Sequence, residues 1–391
     1  MLPHSFLILP PRNSSVFAKF HRKLTVQSLR FLLTSSLVHL PHQMQYELIH
    51  IRNVLTQLLK VNPQKLYQSI ELLDVQTALL NLQTQNTHTI KLWNQAIICI
   101  FKNLQTIHEP ILWTTAIHQI IDAKQRQLYD FDAPLLAMSC DPTGISIQKS
   151  NHHIESLSEQ EFSNPFYSIH PELTECSLSL MDSNPFYTVE AHPDKSGNII
   201  DLGGYDLEEW QRMLRESFEI IKVFVPEIWH ELPLFFQRII PVGFHPQQHF
   251  SATYAQAPGL AYLSLHPDLL TMTEAIIHES QHSKINMIFL QQPLLHNAFD
   301  EWSASPVRPD LRPLHGVLLA AHAFVPVSAM HKRLADMNHP ISHSPIFKDR
   351  QKQVWQSNDE ALKTLNQKAI PTQIGEKLLD GLNALHQALA L

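Results

Sequence analysis

His278-Glu279-Ser280-Gln281-His282 is the stretch that decides how this chain is read. It sets two histidines at i and i+4, so a helix brings both imidazoles to one face, about one turn apart. Imidazoles so placed can grip a single divalent metal, and the neighbouring glutamate can handle a proton. The flanking residues read as helix. Thr271 stands three residues before Glu274, the spacing of a capping box. Met272, Ala275, Ile276, Ile277, Ile285 and Ile288 supply the apolar surface for a helix over about 272–290, which Pro293 closes. Histidine is abundant, 25 of 391 residues, so chance pairs at this spacing are expected. A buried helix bearing His, Glu and His nevertheless needs partners for them, because an unpaired polar group in the interior is costly.

The segments around this helix extend the pattern. Helical periodicity runs through Leu207, Trp210, Leu214, Phe218 and Ile221 and resumes from Ile228 to Phe236. Three strands follow, Arg238–Phe244, Phe250–Tyr254 and Gly259–Leu265, rich in β-branched and aromatic residues between Pro and Gly. A strand ahead of an H-E-x-x-H helix is also the layout of zinc peptidases, where a sheet edge pairs with an extended substrate. Two further helices, near 347–368 and 372–390, close the chain as packing elements.

Two ligands do not complete a metal site. Isoleucines at 285 and 288 break the continuation H-x-x-G-x-x-H. Glu301, 19 residues after His282, has the separation at which some zinc peptidases place a third, carboxylate ligand. Downstream, Arg308 and Arg312 are bracketed by Pro306, Pro309 and Pro313. Prolines fix the backbone, so both guanidinium groups are aimed, a property suited to bidentate capture of a carboxylate. Salt bridges to Asp310 and Glu301 are the structural alternative for the same arginines. His315 opens an apolar helix that also carries His322.

The rest of the chain sets limits. Hydrophobic residues make up 44% and charged ones 17%, the balance of a globular protein. A net charge of -7 argues against a general nucleic-acid binder. Cys99, Cys140 and Cys176 show no paired spacing and read as free thiols. Phe6-Leu7-Ile8-Leu9 is broken by Pro10-Pro11 and lacks a basic flank, so no signal peptide is expected. No membrane span is expected, which makes the cytoplasm the default location. Residues 1–130 read as a helical region, with helices near 64–84 and 88–105. Residues 131–205 read as an irregular connector in which Ser163-Asn164-Pro165-Phe166-Tyr167 recurs as Ser183-Asn184-Pro185-Phe186-Tyr187. The repeat reads as a duplicated turn with an aromatic anchor, or else as an aromatic wall for a peptide. Residues 206–391 form the metal-binding domain. The expected fold class is α+β, mainly α with a small sheet. Nothing in the pattern fixes the oligomeric state.

Taken together, His278-Glu279-Ser280-Gln281-His282 and the later run Ser305-Pro306-Val307-Arg308-Pro309-Asp310-Leu311-Arg312-Pro313-Leu314-His315-Gly316, ending at Phe324, resemble one family. It is that of the HExxH-motif proteins encoded with ribosomally made, modified peptides. That family looks like iron(II)- and 2-oxoglutarate-dependent peptide β-hydroxylases. The match covers about 270–330; Val307 stands where the family usually has tryptophan. The resemblance implies iron(II) held by His278 and His282, with His315 as the favoured third ligand ahead of Glu301 and His322. It implies that Arg308 or Arg312 binds the distal carboxylate of 2-oxoglutarate and that Glu279 orients a ligand or water. A peptide is the implied substrate. The alternative is a zinc metallopeptidase in which Glu279 is the general base and Glu301 the third ligand.

Overall fold

A computed structural model describes residues 7–9, a few positions between 22 and 34, 42–70, 77, and 107–390 apart from 123–124, 142–143, 151–152, 185–186, 188–197 and 306–307. The fold is α+β with helix predominating. The chain forms two compact units, each discontinuous in sequence. The larger comprises residues 1–17, 168–178 and 200–391, and the smaller 18–167 and 179–199.

The smaller unit contains helices α1 (His42–Val61) and α2 (Pro63–Ile70) and four strands: β1 (Ile107–Asp122), β2 (Gln127–Asp141), β3 (Gly144–Lys149) and β4 (Ile154–Ser156). The strands form an antiparallel sheet in sequential order. Two expectations are corrected here. The region expected to be helical through residue 130 turns to strand from Ile107 onward, and much of the expected connector is β2, β3 and β4. The reason lies in Ile111-Leu112-Trp113-Thr114-Thr115 and Ile120-Ile121, whose β-branched and aromatic side chains favour a pleated surface. Pairing of Asp122 with Gln127 closes a hairpin whose turn puts Arg126 at φ 58°. Asp122 accepts the Gln125 amide inside that turn. The expected helix near 88–105 lies outside the described residues. In the first copy of the repeat, Asn164 accepts the Phe166 amide, and Phe166 is buried against Ile121 and Met181. That is a turn with an aromatic anchor; Phe186 of the second copy lies outside the described residues.

Short strands β5 (Phe166–Ser168) and β6 (Ser177–Ser179) lie where the chain passes from one unit to the other and back. The larger unit continues with α3 (Leu207–Phe224), α4 (Pro226–Trp229), α5 (Leu232–Phe235), β7 (Phe236–Phe244), β8 (Ser251–Thr253) and β9 (Gly259–Leu265). Asp206 caps α3 by accepting the Glu209 amide. Strand β7 runs parallel to β6 on one side and to β9 on the other, and β8 closes the far edge of β9 antiparallel. All seven residues of β9 are buried, the composition of a strand covered on both faces.

Helix α6 (Leu269–Gln291) follows β9 directly and packs against α3, α5, β7, β8 and β9. A hairpin of β10 (Trp302–Ser305) and β11 (Arg308–Pro313) leads into α7 (Leu314–Asp336), then α8 (Pro345–Lys368) and α9 (Gln373–Ala388). Helix α7 is long and apolar enough to cross a membrane by composition, yet 78% of its apolar window is buried among other elements. The expected capping box is replaced. Asp268 caps α6 by accepting the Thr271 amide at 2.9 Å, and Glu274 is engaged elsewhere.

At the start of α9, Thr372 donates its amide to the Leu294 carbonyl at 2.9 Å. The close approach demands a glycine: a Cβ on Gly375 would lie 1.8 Å from that same carbonyl oxygen. Gly375→Ala is therefore expected to lower stability by about 1–3 kcal/mol, as overpacking does. A shifted urea midpoint is the expected readout, and an unchanged midpoint contradicts this packing.

Candidate metal centre

Fifteen of the 23 residues of α6 are buried, among them Thr273, Glu274, Glu279, Ser280, Gln281, Ser283 and Lys284. Buried polar groups have to find partners, and most on this helix do. Glu274 accepts from His331 Nε2 at 2.7 Å and from Arg350 through Nε and a terminal nitrogen at 2.9 and 2.7 Å. Burial pushes the Glu274 carboxyl up, but His331 and Arg350 outweigh it and hold it below its ordinary value. Gln281 and Lys284 donate to opposite oxygens of Glu231 at 2.5 and 2.8 Å. Glu231 and Lys284 are both fully buried. Burial pushes the Glu231 carboxyl up and the Lys284 ammonium down, and each partner resists the shift of the other. Ser283 accepts the amide of Gly259 at 2.8 Å, tying α6 to the start of β9.

The two histidines of the motif are different. Nδ1 of His278 and of His282 are buried without a hydrogen-bond partner. Their rings stand 4.2 Å apart between centroids, at 78°. Both rings retain some accessible surface although the residues around them on α6 are buried. The ring of Phe324 on α7 lies 4.5 Å from His278. His315, in the first turn of α7, is half-buried, its ring between those of Phe289 at 4.5 Å and Phe299 at 4.8 Å, and its Nδ1 also lacks a partner.

Electrostatics groups the same residues. Burial first, then the charges of His282, Arg350 and His249, hold the His278 imidazole well below its ordinary value. Burial and then His315 bring His282 down to about 4, and burial alone brings His315 to about 4. These are neutral imidazoles at pH 7, the form a metal requires. Every influence acting on His278 and His282 disfavours the protonated ring, and no carboxylate is among them.

The other sequence candidates are placed as follows. Glu279 is buried, 2% exposed, and lies roughly 100° round the helix from His278. Glu301 is half-exposed, and Lys368 holds its carboxylate at 3.2 Å. His322 is fully buried and engaged through Nε2 with the Leu7 carbonyl at 2.7 Å. Arg312 Nε lies 2.7 Å from Asp310 Oδ2, near enough for an ion pair but not aligned as a hydrogen bond. The Arg312 stem rests on Gly316, where a Cβ would come within 3.4 Å of it. Arg308 sits four residues back on β11, paired in the hairpin with Ser305. Among the described residues, no three His, Cys, Asp or Glu are arranged as folded to hold a metal ion. What fits is the donor chemistry: neutral imidazoles with orphaned ring nitrogens suit zinc, iron, copper or nickel.

Sequence spacing missed His249, 29 residues ahead of His278 in the loop between β7 and β8. It also missed the Glu231 and Arg350 partners. The available signal was chemical: Lys284 and Glu274 on an apolar helix each demand an opposite charge elsewhere. No protein-family model matches the chain, and no curated protein is significantly similar to it.

The imidazole cluster predicts a pH dependence for the metal-free protein. The unfolded chain binds protons at these histidines below about pH 6.5, and the folded chain does so only near 4. Between those values the unfolded state carries more protons, so stability rises with pH and is lost as pH falls. Each such histidine contributes a slope of up to about 1.4 kcal/mol per pH unit. The melting temperature should fall between pH 6.5 and 4.5, and less steeply in a His282→Gln/His315→Gln variant. Identical slopes in the two proteins contradict the assignment.

Proposed function

We propose that the larger unit is an iron(II)- and 2-oxoglutarate-dependent oxygenase that hydroxylates a side-chain carbon of a peptide. The observation carrying this reading is the pair of neutral imidazoles His278 and His282 one turn apart on α6, with His315, which acts electrostatically on His282, as the third candidate. His278 and His282 would hold the metal from α6 and His315 from α7. When bound, iron with 2-oxoglutarate and dioxygen would supply the chemistry that turns a C–H bond into C–OH, one oxygen atom entering the product and the other the succinate formed with carbon dioxide.

The chain's own residues bind, orient and exclude water. Arg312 is set at the mouth of α7 with its stem fixed against Gly316, and would exchange its half-exposed Asp310 partner for the distal carboxylate of 2-oxoglutarate. Arg308, on the same strand, is the second candidate for that task. Glu279, held in the interior, would fix the position of a ligand or a bound water rather than attack one. Phe324, whose ring lies 4.5 Å from that of His278, would help to keep the reacting carbon away from bulk water. The substrate is proposed as a peptide met in the cytoplasm; nucleic acid and membrane are not proposed as partners.

A zinc metallopeptidase remains the second reading, because imidazole ligands suit zinc as well. It would use Glu279 as general base. It is disfavoured by Glu301, the expected third ligand, whose carboxylate is taken by Lys368.

Anaerobic titration of the iron(II)-loaded protein with 2-oxoglutarate tests the proposal. A weak visible charge-transfer band should grow to saturation and be absent in His278→Ala. Arg312→Ala should need roughly ten- to a hundredfold more 2-oxoglutarate, the loss of a charged hydrogen-bond pair. No band, with peptide cleavage in zinc that Glu279→Gln abolishes, would replace the oxygenase by the peptidase.

A further inference from the structure

Two fully buried side chains of the larger unit, Lys284 and His322, make bonds that nothing above explains. His322 Nε2 meets the Leu7 carbonyl at 2.7 Å, and Lys284 Nζ donates to the Ile8 carbonyl at 3.2 Å. The partners are 315 and 276 residues away in sequence. Leu7 is 0% exposed and Ile8 4%. Leu7 has helical backbone, and Ile8 and Leu9 bend away from it. Carbonyls at the end of a helical turn have no partner within it, and cationic or N–H side chains satisfy them. The two donors come from α6 and α7, the helices that carry His278, His282 and His315.

The segment Leu7–Leu9 is thus held in its unit by side-chain donors and apolar contact, while residues 18–167, which follow it in the chain, fold in the other unit. Glu231 keeps Lys284 in place whether or not the carbonyl is present. Burial brings the His322 imidazole down to about 3, so the ring is neutral and donates a single Nε2–H to the carbonyl. With the segment removed, His322 would lose the acceptor of its Nε2–H and Lys284 would lose one of its acceptors, and each lost bond costs free energy. A pair of consecutive main-chain carbonyls flanked by apolar side chains answers that demand. Main-chain bonds with apolar pockets on either side are a general mode of peptide capture.

We propose that Lys284 and His322 form a receptor for the main chain of an apolar peptide, that the chain's own Leu7-Ile8 fills it, and that a second peptide of like chemistry enters by displacing that segment. The site bridges α6 and α7, so its occupant bears on the helices that carry the histidine cluster. The proposal concerns binding alone and stands whether or not the oxygenase reading does.

The test uses the full chain with Leu7→Asp and Ile8→Asp, which expels the segment, and a fluorescein-labelled synthetic peptide of sequence Met1–Pro11 as probe. Fluorescence anisotropy should show saturable binding to this variant and at least tenfold weaker binding to the unaltered chain, whose receptor is filled. Adding His322→Leu should weaken binding about fivefold, the worth of one hydrogen bond. No binding by a variant that retains its far-ultraviolet dichroism overturns the proposal, as does equal binding by both proteins. Should the variant fail to fold, hydrogen exchange on the unaltered chain decides. Amides of residues 7–9 exchanging at least tenfold faster than those of α6 support a displaceable segment. Exchange at the same rate as α6 makes it a fixed part of the core and overturns the proposal.

Discussion

The structure depends on one constraint: a helix buried on nearly every side carries a glutamate, a glutamine and a lysine that have to be met. Glu231 meets Gln281 and Lys284 with separate oxygens, and His331 and Arg350 meet Glu274. A fully buried ion pair adds little net stability, but removing either partner strands a charge and costs about 3–5 kcal/mol. Its worth is in orientation. Gln281 lies directly before His282 and Lys284 two residues after it, so Glu231 fixes how α6 is turned about its axis. Glu274, one turn before His278, fixes the helix at its other end. The histidines project from a helix that cannot rotate without breaking both sets of bonds.

That arrangement explains why the motif histidines stand apart from their neighbours. Glu274, Gln281, Ser283 and Lys284 on α6 have partners within the protein, while the Nδ1 atoms of His278 and His282 have none and both residues are partly exposed. Burial keeps them neutral, and the positive charges around them act in the same direction. Neutral rings keep their lone pairs free for a metal cation. His315 stands on α7 between the rings of Phe289 and Phe299, and α7 packs beside α6.

Much of the larger unit was legible in the sequence, because its elements announce themselves locally. The expected helix at 272–290 is Leu269–Gln291, and the strand expected at Gly259–Leu265 has those bounds. His315 opens a helix as its neighbours suggested. The smaller unit was misread where local pattern and long-range pairing disagree. Ile107–Asp122 carries apolar residues at spacings that also fit a helix, and what decides for strand is the partner Gln127–Asp141 across a turn. The α6 cap was misplaced for a related reason. Thr271 and Glu274 have the right spacing for a capping box, but Asp268 caps better, and Glu274 is drawn to His331 and Arg350, which lie 57 and 76 residues away. In the candidate site, the spacing of His278 and His282 on one helix was visible. The residues that hold that helix, Glu231 and Arg350, were not, because charge complementarity across a fold has no fixed sequence separation.

The central claim is that imidazoles from α6 and α7, and not Glu301, make a metal centre. Titration of the metal-free protein with cobalt(II), followed by its visible ligand-field bands, tests this most directly. The account predicts saturation at one cobalt per chain, loss of the bands in His278→Ala and in His282→Ala, and an unchanged spectrum in Glu301→Ala. Absence of saturable binding, or loss of the bands in Glu301→Ala, would contradict it.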